Sequence, residues 1–154
     1  MVLISTGASI GFVTRILPDG WIDPVFGING FYLEFGMETG VTAVGVDPSG
    51  RIWLLGRLLA DGTGWWIFQL LDTVGNPTDN RALTFPGYGF ETTIPTAMAF
   101  QPDGNVLLGG WGKTGSPDFF ASMAIARILG SSLNLDPTFG GGGTGELVIT
   151  DFES

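Results

Sequence analysis

The chain contains no cysteine and no histidine. The first absence removes disulfide crosslinks, thiolate nucleophiles and zinc–thiolate sites. The second removes the usual general base near neutral pH, and with it any Ser/His/Asp arrangement. Basic residues are scarce: six against fifteen acidic ones, for a net charge of -9 and a pI near 4.1. Phosphate backbones and anionic lipid surfaces would be repelled, which argues against nucleic acid and membranes as partners. No apolar run reaches the roughly 18 residues of a membrane-spanning helix. The greasiest stretch, GTGWWIFQLL at 62–71, is far shorter. The opening MVLISTGASIGF has neither a basic n-region nor an A-x-A-like cleavage site, so no signal peptide is expected.

What the chain does have is apolar surface and repetition. Its 154 residues are 44% hydrophobic and the mean hydropathy is +0.35, enough for one core and for buried contacts between copies. RILPDGWIDPVFG at 15–27 returns as RILGSSLNLDPTFG at 127–140. Aligning Arg15, Gln69 and Arg127 gives spacings of 54 and 58 residues. A second pair, TAVGVDPSGRIWLLGR at 42–57 and TAMAFQPDGNVLLGGW at 96–111, is again 54 residues apart. Two independent segments sharing one period indicate a repeat architecture.

Each period holds four short apolar runs punctuated by glycine, proline or aspartate, which predicts strands and tight turns. Lettering the strands of a period a to d, c covers Val2–Ser5, Arg51–Arg57 and Val106–Trp111. Strand d covers Phe12–Leu17, Trp65–Leu71 and Ser122–Leu129. Strand a covers Phe31–Phe35, Ala82–Phe85 and Glu146–Phe152, and b covers Val41–Val46 and Thr96–Phe100. That is eleven strands and no helix; FFASMAIARIL at 119–129 has a helical look but aligns with 63–71 as strand. One β-repeat domain spans 1–154, with a partial repeat 1–30, repeats 31–80 and 81–140, and a terminal strand 141–154.

The words RILPDGWIDPVFG, VDPSGRIWLLG, FQPDGNVLLGG and LDPTFGGGG resemble the bacterial delta-60 repeat family over nearly the whole chain. That family's pattern runs L-x-x-D-G-x-x-D-x-x-F-G, followed by a P-D-G-K-I turn. The resemblance implies a β-propeller-like fold on surface or secreted proteins, mostly without assigned activity. The middle copy, LLDTVGNPTDNRALTF, departs from the pattern by lacking the D-P-x-F-G word.

The expected fold class is therefore all-β: a propeller-like array of four-stranded antiparallel blades, about two and three-quarter repeats per chain. Propellers close with roughly four to eight blades, and open arrays leave exposed edges. Either the terminal strand closes the first blade within the chain, or copies complete one another as a homodimer or homotrimer.

The repeated words read as turn chemistry. Pro18, Asp19 and Gly20 supply a fixed φ, an Asx bond and a positive φ, and QPDG with Asp103 and Gly104 repeats the device. Asp23 and Asp136 open a further turn, each followed by an expected apolar plug (Phe26, Phe139) and a glycine (Gly27, Gly140). Asp19 and Asp23 are the candidates for calcium, although their spacing is not that of an EF-hand. GGGGTG at 140–145 meets G-x-G-x-x-G by count, but a strand-like ELVITDF follows where a dinucleotide site needs a helix. No G-x-S-x-G elbow is present, and the acids form no constellation suited to glycoside hydrolysis. Neither an enzymatic activity nor a cofactor is expected.

The five tryptophans remain. Trp53 alternates inward in strand c and is expected in the core. Trp21, Trp65, Trp66 and Trp111 are the candidates for subunit contact or for stacking on sugar rings. The sequence thus favours a non-enzymatic, self-assembling structural or adhesive β-protein, with a virion decoration or fibre component as one setting. Other structural proteins of such a particle are further partners, and a propeller-type lectin binding glycans is the alternative.

Overall fold

The computed structural model describes residues 2–6, 11–34, 40–60, 63–85, 88–114 and 121–150. Among them are eleven strands and no helix. In chain order they are β1 (Val2–Thr6), β2 (Gly11–Arg15), β3 (Phe31–Glu34), β4 (Val41–Val46), β5 (Ile52–Ala60) and β6 (Thr63–Leu71). Then follow β7 (Pro77–Leu83), β8 (Phe90–Phe100), β9 (Val106–Thr114), β10 (Ala121–Ile128) and β11 (Glu146–Ile149). The expected strand at Ala82–Phe85 begins earlier, at Pro77. Of the stretch with a helical look, Ala121–Ile128 is β10, and residues 119–120 lie outside the described residues. Phe35 and residues 151–152, expected in strands, lie outside the described residues.

The strands form three antiparallel meanders: β1-β2-β3, then β4-β5-β6-β7, then β8-β9-β10-β11. None of the three closes on itself among the described residues. The sequence grouped the strands as a-b-c-d, whereas the sheets group them as b-c-d-a, with each a strand pairing back onto the preceding d. The terminal strand therefore does not complete the first sheet: β11 pairs with β10, Glu146 opposite Ala126.

Four of the connections are one turn built four times. In Leu17–Trp21, Asp47–Arg51, Asp72–Asn76 and Gln101–Asn105, the first residue exchanges backbone bonds with the fourth and fifth. The fourth is always glycine: Gly20, Gly50, Gly75 and Gly104, at φ 89, 86, 89 and 86°. This is a type I turn followed by a left-handed bulge residue, the conformation glycine adopts at no steric cost. The connection after β10 is one residue longer, with Leu129 donating to the Asn134 carbonyl at 2.9 Å.

The three sheets stack face to face. In β5, consecutive residues Ile52, Trp53, Leu54 and Leu55 are all buried, because the middle sheet is covered on both sides. Ile52, Leu54 and Leu71 pack with Val13, Phe26 and Tyr32 of the first sheet. Trp53, Leu55, Trp66, Phe68 and Leu70 pack with Val106, Leu108, Ala124, Ala126 and Ile128 of the third. Trp53 is the expected core residue, fully buried and stacked on Phe68 with ring centroids 5.1 Å apart. We call the face of a sheet turned toward the preceding sheet its front and the opposite face its back.

Register relates the copies residue by residue. Ile52 pairs with Leu71 and Val106 with Ile128, so Trp53–Leu70 and Leu107–Arg127 are equivalent pairs. The position matching Arg15 and Arg127 in the middle sheet is therefore Leu70, not Gln69. A slip of one residue in a strand exchanges its faces, so the distinction decides which side chains meet.

Candidate functional site

The two copies of the D-P-x-F-G word fold into the same corner. Asp23 N donates to the Arg15 carbonyl at 2.8 Å, and Asp136 N to that of Arg127 at 2.8 Å. The arginine returns its side chain to the same aspartate: Nε to Oδ2 is 2.7 Å in both copies. The other carboxylate oxygen accepts from the backbone two residues on, Val25 N at 3.1 Å and Thr138 N at 2.9 Å. Each guanidinium lies over the plug of its own corner, Arg15 over Phe26 at 5.4 Å and Arg127 over Phe139 at 5.0 Å. The Val25 amide, with the Arg15 side chain, holds the Asp23 carboxyl below its ordinary range despite burial. Hydrogen bonds from Thr138, with Arg127, do the same for Asp136.

A third arginine follows the same logic. Asp47 opens a b–c turn and accepts from Arg51 Nε at 2.7 Å and Trp53 Nε1 at 3.0 Å. Arg51 then reaches the next sheet, Nη2 to the Gly130 carbonyl, at 2.9 Å. The arginines are what the sequence reading missed, since they served there only to align the repeats. The available signal was an arginine recurring eight or nine residues before the word's aspartate.

These corners account for the candidate turn residues. Asp19 and Asp103 cap their own turns, accepting from Trp21 N at 3.1 Å and Asn105 N at 3.0 Å. Asp23, a calcium candidate, is ion-paired to Arg15 at 2.6 Å. No cluster of three acidic side chains suited to a metal forms among the described residues. Phe26 is the fully buried plug expected of it. Phe139 departs from expectation and is half-buried. Phe26 and Gly27 are covered by the turn of the second sheet, where Gly27 N donates to the Val74 carbonyl at 2.7 Å. Among the described residues no fourth sheet stands beyond Phe139 to do this.

The tryptophans separate into different environments. Trp66 is fully buried between the second and third sheets, 4.7 Å from Phe85 ring to ring, and is not an accessible contact. Trp65, its neighbour on the opposite face, is half-buried. Trp21 is the most open, 74% exposed at the tip of the first d–a turn. Trp111 lies on the back of the third sheet.

That back face is apolar and, among the described residues, has no sheet packed on it. One row crosses all four strands: Ile94 opposite Trp111, Trp111 opposite Met123, Met123 opposite Ile149. The next row is Ala97, Gly109, Ile125 and Leu147. At the other end of the stack, the front of the first sheet presents Phe12, Phe31 and Leu33, each roughly two-fifths exposed. They line an apolar groove of about 610 Å³ that continues past Ile28 to Gly75 and Pro77.

No helix among the described residues is long and apolar enough to cross a membrane. No protein-family model matches the chain, and neither a curated protein nor a solved structure does.

Proposed function

We propose that the chain is a non-enzymatic structural protein that assembles with itself into a propeller-like array, as a decoration, fibre or adhesive component of a larger particle. The observation that carries this reading is the state of the two end faces. Within the chain, a back face packs on a front face twice, first sheet on second and second on third. One back face and one front face remain, both apolar and both open to solvent. Exposed large apolar residues gathered on one face mark an interaction surface. The resemblance to delta-60 repeats agrees with the reading, since it too implies a propeller-like surface protein, of a family mostly without assigned activity.

Light scattering during size exclusion tests the proposal. A mass at a multiple of 16.3 kDa is the expected result, and a monomer at every accessible concentration would sink it.

A lectin of the same architecture draws support from one feature, the exposed Trp21 ring. Its equivalents in the other two turns are Asn76 and Asn134, so any sugar stacking would be confined to one copy. A glycan array probed with the chain and with Trp21→Ala tests this. Binding lost in the variant supports the lectin, and an array without signal removes it.

A further inference from the structure

The contact between the first and second sheets has three parts that can be followed to the end of the stack. Arg15 Nη1 donates to the Thr73 carbonyl, Gly27 N donates to the Val74 carbonyl at 2.7 Å, and Phe26 is buried against Gly75. The fit at Gly75 is close: a Cβ there would stand 2.8 Å from Gly27 N and 2.9 Å from the Phe26 ring. Thr73, Val74 and Gly75 belong to the d–a turn of the second sheet.

Each half of this contact recurs elsewhere, without its mate among the described residues. On the third sheet, Arg127, Phe139 and Gly140 reproduce Arg15, Phe26 and Gly27, but the Phe139 ring is left half-buried. On the first sheet, the turn Leu17–Trp21 reproduces Asp72–Asn76, with Pro18, Asp19 and Gly20 at the places of Thr73, Val74 and Gly75. A Cβ on Gly20 would meet nothing within 4 Å, although its φ of 89° is that of Gly75. Plug and socket are present in one chain at opposite ends of its stack.

We infer that a second copy of this chain supplies the missing mate: Arg127 and Phe139 of one copy seat on the turn Pro18–Trp21 of the next. The inference rests on the assembly reading above and specifies its seam. The back of the third sheet, with Trp111, Met123 and Ile125, then covers Phe12 and Leu33 on the front of the neighbour's first sheet. Arg127 donates to the Pro18 carbonyl and Gly140 N to the Asp19 carbonyl, as Arg15 and Gly27 do within the chain. The contact is head-to-tail, so the two surfaces differ and copies add in one direction, closing into a ring where the rotation permits.

The absence of cysteine in the native chain makes a directional crosslink readable. Asp19→Cys and Thr138→Cys are made separately, refolded alone and together, and treated with a short bismaleimide; the unmodified chain is sized in parallel. The seam predicts a mass at a multiple of 16.3 kDa for the native chain and a crosslinked dimer only in the mixture. A multiple of that mass with no crosslink in the mixture, or with a crosslink in either variant alone, overturns the seam and leaves assembly standing. A 16.3 kDa monomer overturns both.

Discussion

Asp47 shows how much one buried carboxylate organises. It accepts from Ser49 N and Oγ, Arg51 N and Nε, and Trp53 Nε1, at 2.6 to 3.0 Å. Burial alone would raise its pKa, but the bonds from Ser49, Trp53 and Arg51 prevail and hold it at about 2, against 3.8 in the unfolded chain. A lowered folded pKa gives stability that is present above pH 3.8 and lost as pH falls through about 2. Asp47→Ala strands the Trp53 N–H in the core and unpairs Arg51, for an expected loss of roughly 3 kcal/mol in chemical denaturation. A native midpoint in that variant would refute the role. Glu146 is the opposite case. The residue is 2% exposed with no partner for Oε2 among the described residues, and burial pushes its pKa up to about 6 from 4.5. The raised value makes its contribution full below pH 4.5 and lost as pH rises through about 6. Glu146→Gln should therefore melt above the native chain at about pH 8 and close to it at about pH 4.5. Parallel melting curves at both pH values would count against the assignment.

At the scale of elements, glycine turns report which connections are covered by a neighbouring sheet. Gly20 and Gly75 share φ 89°, so alanine pays the same left-handed strain at either, about 1 kcal/mol. Only at Gly75 does the new methyl also meet Phe26 and Gly27, an overpacking cost of about 1–3 kcal/mol more. Urea titrations of dilute protein should thus rank Gly75→Ala well below Gly20→Ala, and equal midpoints would contradict the packing. The strands and these turns were legible because their signals are local: alternation of apolar residues, and proline, aspartate and glycine at fixed offsets. Four things were not. The offset at Gln69 went unseen because only pairing across β5 and β6 reveals it, and the longer turn at Leu129–Asn134 obscures the count. Arg15 and Arg127 act through aspartates eight or nine residues away, and Arg15 also across to the second sheet, which periodicity does not register. Phe139 reads like Phe26 because the word is the same; what differs is the sheet beyond it. Of the candidate tryptophans, Trp66 could not be told from Trp111 by type, since burial on both faces is a property of the middle sheet alone.

At the scale of the whole molecule, the proposed assembly sets an apolar seam against like charge. Each copy carries a net charge of -9, so stacking copies concentrates negative charge. The proposed seam has little to oppose this electrostatically. Its facing rows are alanine, isoleucine, methionine, tryptophan and phenylalanine, and the Arg127 contact is to a carbonyl and not to a carboxylate. Screening should then act on the repulsion and leave the attraction intact. At about 0.1 M ionic strength the Debye length is near 10 Å, so exposed charges farther apart than that are largely screened. Association should accordingly strengthen from about 0.01 M to about 0.5 M sodium chloride, and sulfate should strengthen it further by favouring apolar burial. Sedimentation velocity across that series gives the test, with the weight-average mass expected to rise with salt. A mass that falls with salt would mean that the copies are held by ion pairs, which the apolar end faces do not provide, and a different surface would have to be sought.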